Sequence, residues 1–210
     1  MSETEKNLTV REAQAKEKPS IELTASRQLS AQMQESFARF LAFLKSEDIK
    51  VAWKAINGYN MNYKGKRVGA ITIGAGGWLD DAINTKDYVL VLISSSDSWD
   101  YSSYLEGQSE AVGAYVDKQM SFPCIHCRPT CGCSKVSGRS FIHKGVQLDN
   151  VCNNAACFKF YTRDSGMETA VMCTCRAVYP PEEVGEVAFG DVEMLIRARK
   201  AYIIKDLLKK

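Results

Sequence analysis

The sequence predicts an α+β fold, in which an antiparallel sheet of about five to seven strands packs against helices. Apolar residues recur at helical spacing in residues 29–44 and 192–208, and many segments between them alternate apolar and polar residues. Six of the eight cysteines fall within residues 121–157, which predicts an attached cysteine-rich zinc-binding loop region. Because 210 residues suffice for one domain with its own core, we expect a single domain at residues 29–210.

Residues 1–28 look unlike the rest of the chain. They carry five acidic and five basic side chains, one proline and no aromatic residue. Such a segment has little apolar surface to offset the entropy lost on ordering, so we expect a disordered tail. An arm that folds on contact with a partner is the alternative.

The first half of the domain is predicted to be one helix followed by four strands. The helix begins at Leu29, and its apolar stripe is Leu29, Met33, Phe37, Phe40, Leu41 and Leu44. Alternation over residues 49–53, 59–63 and 68–73, with turn residues at Asn57-Gly58 and Lys64-Gly65-Lys66, predicts a three-stranded meander. The apolar run Tyr88–Ile93 predicts a central strand covered on both faces.

The second half is predicted to contain two helices and two short strands. A stripe of tyrosines and valines predicts a helix over about 98–118. Residues 156–162 and 170–175 read as strands, although the second segment also fits a helix. Asp191 can cap a last helix whose later turns carry the basic residues that a helix dipole favours.

The cysteine-rich region predicts a zinc site. Cys124 and Cys127 form a C-x2-C pair, which lets two sulfurs converge on one ion, and two further thiolates complete a tetrahedron. The candidate ligands are Cys124, Cys127, Cys131, Cys133 and Cys152. An iron–sulfur cluster fits less well, because the third thiol follows after three residues and the fourth after one.

Local charge supports a thiolate-bound dication. Between Lys118 and Leu148 the chain has five basic residues and no acidic residue. Four thiolates around a dication carry two net negative charges, which neighbouring cations stabilise. This explanation accounts for the basic run better than nucleic-acid binding does, since no basic stripe interleaved with aromatic residues is present.

Four features of the chain occur together: the C-x2-C pair, a further cysteine, the motif YKGK at 63–66 and the motif GVQLDNVC at 145–152. Over about residues 35–160 it resembles a group of small proteins from anaerobic bacteria to which no activity is assigned. The resemblance implies Cys124, Cys127, Cys133 and Cys152 as ligands. Because this chain adds Cys131, the third ligand is either Cys131 or Cys133.

Two weaker patterns each have two interpretations. Cys173 and Cys175 either join His143 and Cys157 in a second site or are small buried residues, and we favour burial. A group of aromatic residues either lines an apolar ligand pocket or packs in the core. This group comprises Trp53, Tyr59, Tyr63, Trp78, Trp99, Tyr101 and Tyr104.

Composition bounds the function without fixing it. The net charge of +2 does not indicate binding to nucleic acid or to a membrane. The longest apolar run has six residues, whereas a membrane-spanning helix needs about twenty. The first residues lack the apolar stretch of a signal peptide, so we expect a cytoplasmic protein. We expect a zinc-binding module with a structural metal that binds a small molecule or a protein. The alternative is a thiol enzyme or redox protein, and zinc-dependent nucleic-acid binding is the third and least favoured interpretation.

Overall fold

A computed structural model gives the fold of this chain as an α+β arrangement of helices against an antiparallel sheet. The structure describes residues 10–74, 87–94, 110, 113–114, 139–143, 146–151, 157–163, 166–172, 178–179 and 187–208. The predicted helix over 98–118 lies outside the described residues except at Glu110, Gly113 and Ala114, which are helical.

Two helices occupy the segment that was expected to be a tail. Helix α1 is Val10–Glu17 and helix α2 is Ile21–Gln28. The expectation of disorder is wrong for these residues, because Ile21, Thr24 and Ala25 of α2 are buried against the domain. The segment is short of apolar residues, but Ile21 and Ala25 lie on one face of α2 and enter the core, whereas Leu23 of the same helix is exposed.

Helix α3, Ala31–Ser46, is the predicted amphipathic helix. It begins after Ser30, whose hydroxyl accepts a hydrogen bond from the Met33 N–H at 3.3 Å. Its buried face is Met33, Phe37, Phe40, Phe43 and Leu44. The aromatic residues on this face make α3 the main helical layer of the core.

Seven strands form the main sheet, and every neighbouring pair in it is antiparallel. In chain order the nine described strands are β1 (Lys50–Ala55), β2 (Gly58–Tyr63), β3 (Lys66–Ile73), β4 (Tyr88–Ile93), β5 (Arg139–His143), β6 (Val146–Val151), β7 (Cys157–Arg163), β8 (Gly166–Met172) and β9 (Val178–Tyr179). The main sheet has the order β1-β2-β3-β4-β7-β8-β9, and β5 and β6 pair with each other. Strand β4 is therefore central, as its continuous apolar sequence predicts, and β1 is an edge strand.

The hairpin turns of the meander follow from residues that tolerate positive φ. Lys64 and Gly65 have φ of 46° and 77°, which is the two-residue turn that matches strand twist. At the β1–β2 hairpin the turn residues are Ile56 and Asn57, with Asn57 at φ 49°, and Gly58 already belongs to β2. The predicted hairpin is confirmed, one residue earlier than its Asn-Gly pair indicated.

The described helices pack on one face of the sheet. Phe158 and Phe160 of β7 lie on this face, and the Phe160 ring stacks on Phe189 with centroids 3.9 Å apart. Phe189 also stacks on Phe40 of α3 at 5.1 Å. The core therefore lies between the sheet, α3 and the C-terminal helix.

That C-terminal helix, α4, is Phe189–Tyr202 and continues as a π-helical turn over Ile203–Leu207. Asp191 caps it from the third helical position, because its carboxylate accepts a hydrogen bond from the Ala188 N–H at 2.9 Å. The helix thus begins two residues before the predicted cap. No helix among the described residues is long and apolar enough to cross a membrane.

Candidate functional site

The predicted zinc ligands cannot be placed in this fold. Cys124, Cys127, Cys131, Cys133 and Cys152 all lie outside the described residues, as do Cys173 and Cys175. Within the described residues, no group of three or more His, Cys, Asp or Glu side chains is arranged to hold a metal. The zinc site therefore stays a prediction from the sequence.

The β5–β6 hairpin adds a geometric constraint on that prediction. Arg139 pairs with Val151, so the chain that arrives from Cys133 and the chain that leaves toward Cys152 meet at the open end of the hairpin. Cys152 follows Val151 directly, and the six residues from Cys133 to Arg139 span at most about 20 Å. The register therefore places Arg139, six residues after Cys133, next to Val151, the residue before Cys152. The hairpin itself lies in a region that was expected to be rich in loops.

The described residues contain a groove beside the edge strand β1. Its volume is about 600 Å³, within the range of small-molecule sites. Strand β1 and the end of α3 form two of its walls, and the α1–α2 connection with the first turn of α2 forms the third. All lining residues fall between Lys18 and Tyr59 in the sequence.

The interior of the groove is largely apolar. Five aliphatic side chains and a proline line it together with two aromatic rings: Pro19, Ile21, Leu41, Leu44, Ile49 and Val51, with Trp53 and Tyr59. Most of these side chains belong to the domain core, so the groove is an opening in the core at the sheet edge.

Tyr59 fixes the wall made by the α1–α2 connection. Its hydroxyl lies 2.6 Å from the Thr24 hydroxyl and within 3.1 Å of the carbonyl oxygens of Pro19 and Ser20. Burial raises the pKa of this phenol, and the Thr24 hydroxyl opposes the shift by hydrogen bonding. A neutral phenol therefore holds the connection in place through its donor proton. Gln14 adds a second tie, since its amide exchanges hydrogen bonds with Asn57 at 2.6 and 2.8 Å.

Trp53 lines the groove with its aromatic ring. The side chain is half-buried and packs against the core, opposite Tyr59 in the β1–β2 pairing. Its indole Nε1 is buried and donates to no group in the part of the chain that the structure describes. A buried donor without an acceptor is costly and uncommon in native proteins. Because Nε1 itself is buried, the part of Trp53 that the groove offers to a ligand is the aromatic ring.

Charged side chains surround the groove. Lys18, Lys45 and Lys50 line it together with Glu22 and Asp48, and all five side chains are exposed. Three ammonium groups and two carboxylates leave one net positive charge. The N-terminus of α2, at Ser20 and Ile21, adds the positive end of a helix dipole to the same wall.

Only some of the aromatic residues that were considered as a pocket wall line the groove. Trp53 and Tyr59 line the groove, whereas Tyr63 lies 4.9 Å beneath the Lys200 ammonium group, on the contact between the sheet and α4. The other four aromatic residues lie outside the described residues. Sequence reasoning missed the lysines and the helix N-terminus, because an exposed lysine carries no pattern that links it to a groove.

A second cluster of polar and aromatic side chains lies on the opposite face of the sheet. Lys159 is fully buried, with Nζ 3.8 Å from the centre of the Tyr88 ring. Beside it the Tyr161 hydroxyl donates to a Glu168 carboxylate oxygen at 3.1 Å. The ring face stabilises the ammonium group by a cation–π interaction, so this cluster holds a charge within the fold. Nothing in the sequence distinguishes Lys159 from a surface lysine.

Comparison with known proteins adds no functional information. No family model, no curated protein and no solved structure matches this chain. The groove and the cysteine pattern are therefore the basis for a proposal.

Proposed function

We propose that this protein is a zinc-binding module whose α+β domain binds a small ligand in the groove beside β1, with a metal that serves structure. The observation that carries the ligand site is the groove itself, which the rings of Trp53 and Tyr59 line together with five aliphatic side chains. Aromatic walls combined with a few polar groups are typical of small-molecule sites. The volume of about 600 Å³ lies within the range of small-molecule sites.

The zinc part of the proposal rests on the cysteine pattern. The C-x2-C pair supplies two thiolates, and the pairing of Arg139 with Val151 allows Cys152 to approach the chain that follows Cys133. The predicted ligands fall between residues 124 and 152, whereas the groove lining falls between 18 and 59. No predicted zinc ligand is therefore among the residues that line the groove.

Binding of the neutral fluorophore N-phenyl-1-naphthylamine tests the ligand site. We expect saturable binding that weakens roughly tenfold in Trp53→Ala, because a large aromatic wall is lost, and that survives in Trp53→Phe. Ile56→Ala is the matched control, since Ile56 is an exposed apolar residue beside β1 that does not line the groove. Melting curves show whether each variant is folded. Equal binding by folded Trp53→Ala would contradict the groove as the site.

Metal content tests the zinc site. We expect about one zinc per chain by elemental analysis, and a sharp loss of thermal stability in Cys127→Ser, in Cys152→Ser and after treatment with a strong chelator. Cys157→Ser is the matched control, because Cys157 is not a predicted ligand. Stoichiometric iron with labile sulfide, or unchanged melting in both ligand variants, would overturn this part of the proposal.

A further inference from the structure

We infer that a second copy of this chain docks on the outer face of α4, so that two α4 helices pack antiparallel about a two-fold axis. The inference goes beyond the proposed function, and the docking face shares no residue with the groove. Two features of α4 carry it. One is an apolar stripe on the side of the helix away from the core, and the other is a pair of opposite charges at the two ends of that stripe.

The outer face of α4 has apolar and small residues where an exposed helix face normally has charged ones. The core side of the helix is Phe189, Val192, Leu195, Ile196 and Arg199. On the other side, exposed residues recur at intervals of four and three, and we call them the outer stripe: Gly190, Met194, Arg197, Ala201, Ile204 and Leu208. These alternating intervals are the pattern by which two helices pack along their lengths.

The exposed apolar surface of the described residues is concentrated on this stripe. Six large apolar side chains are exposed in that part of the chain, and Met194, Ile204 and Leu208 are three of them. They expose 37%, 43% and 37% of their surface. Single exposed apolar residues are ordinary, but a continuous row of them on one helix face is typical of a protein contact.

Arg197 does not place an unpaired charge in the stripe. Its Nε donates to the Glu47 carboxylate at 2.9 Å, and its guanidinium lies 4.9 Å from the centre of the Phe43 ring. Both partners lie at the end of α3, so the side chain is directed toward α3 and its charge is neutralised within one chain. A second copy therefore meets no unpaired charge at this point of the stripe.

The outer stripe is complementary to itself when a second helix runs antiparallel to the first. A two-fold axis at the level of Arg199 opposes the residues of the two copies in three layers. The opposed pairs are Gly190 with Leu208, Arg197 with Ala201, and Met194 with Ile204. In the first two layers a large side chain meets a glycine or an alanine, and in the third two flexible apolar side chains meet. A two-fold interface requires such a match, because both copies contribute the same surface.

Charge favours the same orientation. Asp191 lies in the first turn of α4, and Lys205 is exposed in the last turn. Lys205 takes part in no ion pair within the described part of the chain. About the same axis, Asp191 comes level with the partner's Lys205 to within one helical turn. Parallel helices would instead bring the two carboxylates to one end and the two ammonium groups to the other, so charge selects the antiparallel pair.

Sedimentation velocity of the full chain at increasing concentration tests whether the dimer forms. We expect the mass to rise from that of one chain to that of two. Met194→Glu and Ile204→Glu should each weaken dimerisation at least about tenfold, because the symmetry buries the new carboxylate twice. Leu23→Glu is the matched control, since Leu23 is similarly exposed on α2 and lies off the stripe, and it should have an effect of at most about twofold.

Two results of this experiment would overturn the inference. One is a chain that stays monomeric up to about 1 mM. The other is equal weakening by Leu23→Glu and the two stripe variants, with all of them folded in melting curves, because the contact would then lie elsewhere.

A zero-length crosslink tests the antiparallel orientation. Lys205 follows Asp191 by fourteen residues, which is about 20 Å along a helix, so a carbodiimide cannot join the two side chains within one chain. We expect mass spectrometry of the crosslinked dimer to find an amide bond between Asp191 and Lys205. A dimer in which Asp191 is joined to no lysine of α4 would contradict the antiparallel pair.

Reversal of one charge tests the pairing independently of the crosslink. Lys205→Glu should weaken dimerisation roughly tenfold at low salt, because it turns two attractions into two repulsions. Lys54→Glu is the control, since it makes the same change of charge at an exposed position on β1, and it should have an effect of at most about twofold. Equal effects of the two variants would assign the change to the net charge of the chain and would contradict the pairing.

Discussion

At the scale of single residues, the hydroxyl of Tyr59 connects the groove to the N-terminal helices. It contacts the Thr24 hydroxyl and the two carbonyl oxygens that end the α1–α2 connection. We expect Tyr59→Phe to lower the free energy of unfolding by about 1–3 kcal/mol, because the buried Thr24 hydroxyl and the carbonyl oxygens of Pro19 and Ser20 lose their shared partner. Urea denaturation measures this change.

Tyr63→Phe is the control for that prediction. Tyr63 lies four residues further along the same strand and is also buried, but no hydrogen bond of its hydroxyl is found in the described part of the chain. Its loss should cost less than about 0.5 kcal/mol. Equal destabilisation by the two variants would show that the hydroxyl of Tyr59 has no special structural role.

Two glutamates near the C-terminal helix are expected to act on stability with opposite signs. Hydrogen bonds from Arg197 at 2.9 Å and from Lys200 at 3.0 Å lower the pKa of Glu47 below its usual value of 4.5. Burial raises the pKa of Glu193 above the same value. The ionised form is therefore stabilised by folding at Glu47 and destabilised by folding at Glu193.

Thermal unfolding between pH 3 and pH 7 tests both signs. Glu47→Gln should lower the melting temperature at pH 7, and the deficit should vanish as the pH falls below 4.5 through the lowered pKa. Glu193→Gln should raise the melting temperature at pH 7, and the gain should shrink as the pH falls through the raised pKa toward 4.5. Each effect should be about 1 kcal/mol or less, because the groups are partly solvated. Shifts of the same sign would contradict the assignment.

At the scale of secondary-structure elements, α2 belongs to the folded domain. Ile21 is 5% exposed and lies in the core, whereas Leu23 on the same helix is 38% exposed. We expect Ile21→Ala to cost about 2–4 kcal/mol in urea denaturation, because it leaves a cavity beneath the groove, and Leu23→Ala to cost less than about 1 kcal/mol. Similar small costs would mean that α2 contributes little to the stability of the fold.

The elements that the sequence predicts are those with a regular apolar period. The apolar pattern predicts which side chains are buried in α3, in β1 to β3 and in β4. The structure confirms these elements. Helix α2 escapes prediction because its burial depends on Thr24 and Ala25, which carry little apolar surface, and on a distant partner, Tyr59. Local pattern cannot reveal a contact that spans 35 residues.

At the scale of the whole molecule, the groove forms by tertiary packing, and only its aromatic residues can be recognised from the sequence. Trp53 and Tyr59 stand out as aromatic residues, and the sequence offers them as a pocket wall or as core. Their conversion into a groove depends on where the α1–α2 connection and the end of α3 meet β1. The cysteine cluster is the reverse case, because its spacing indicates metal chemistry while its geometry lies outside the described residues.

The central claim of this account is that the groove beside β1 binds a small ligand against Trp53. The most direct measurement follows the three indole N–H resonances of the full chain by ¹H–¹⁵N correlation NMR during titration with N-phenyl-1-naphthylamine, with Trp53→Phe used to assign the Trp53 signal. We predict that the Trp53 resonance moves and that its shift saturates, because the aromatic rings of a probe bound in the groove change the magnetic environment of the indole. A Trp53 resonance that stays in place while the probe binds would contradict the account.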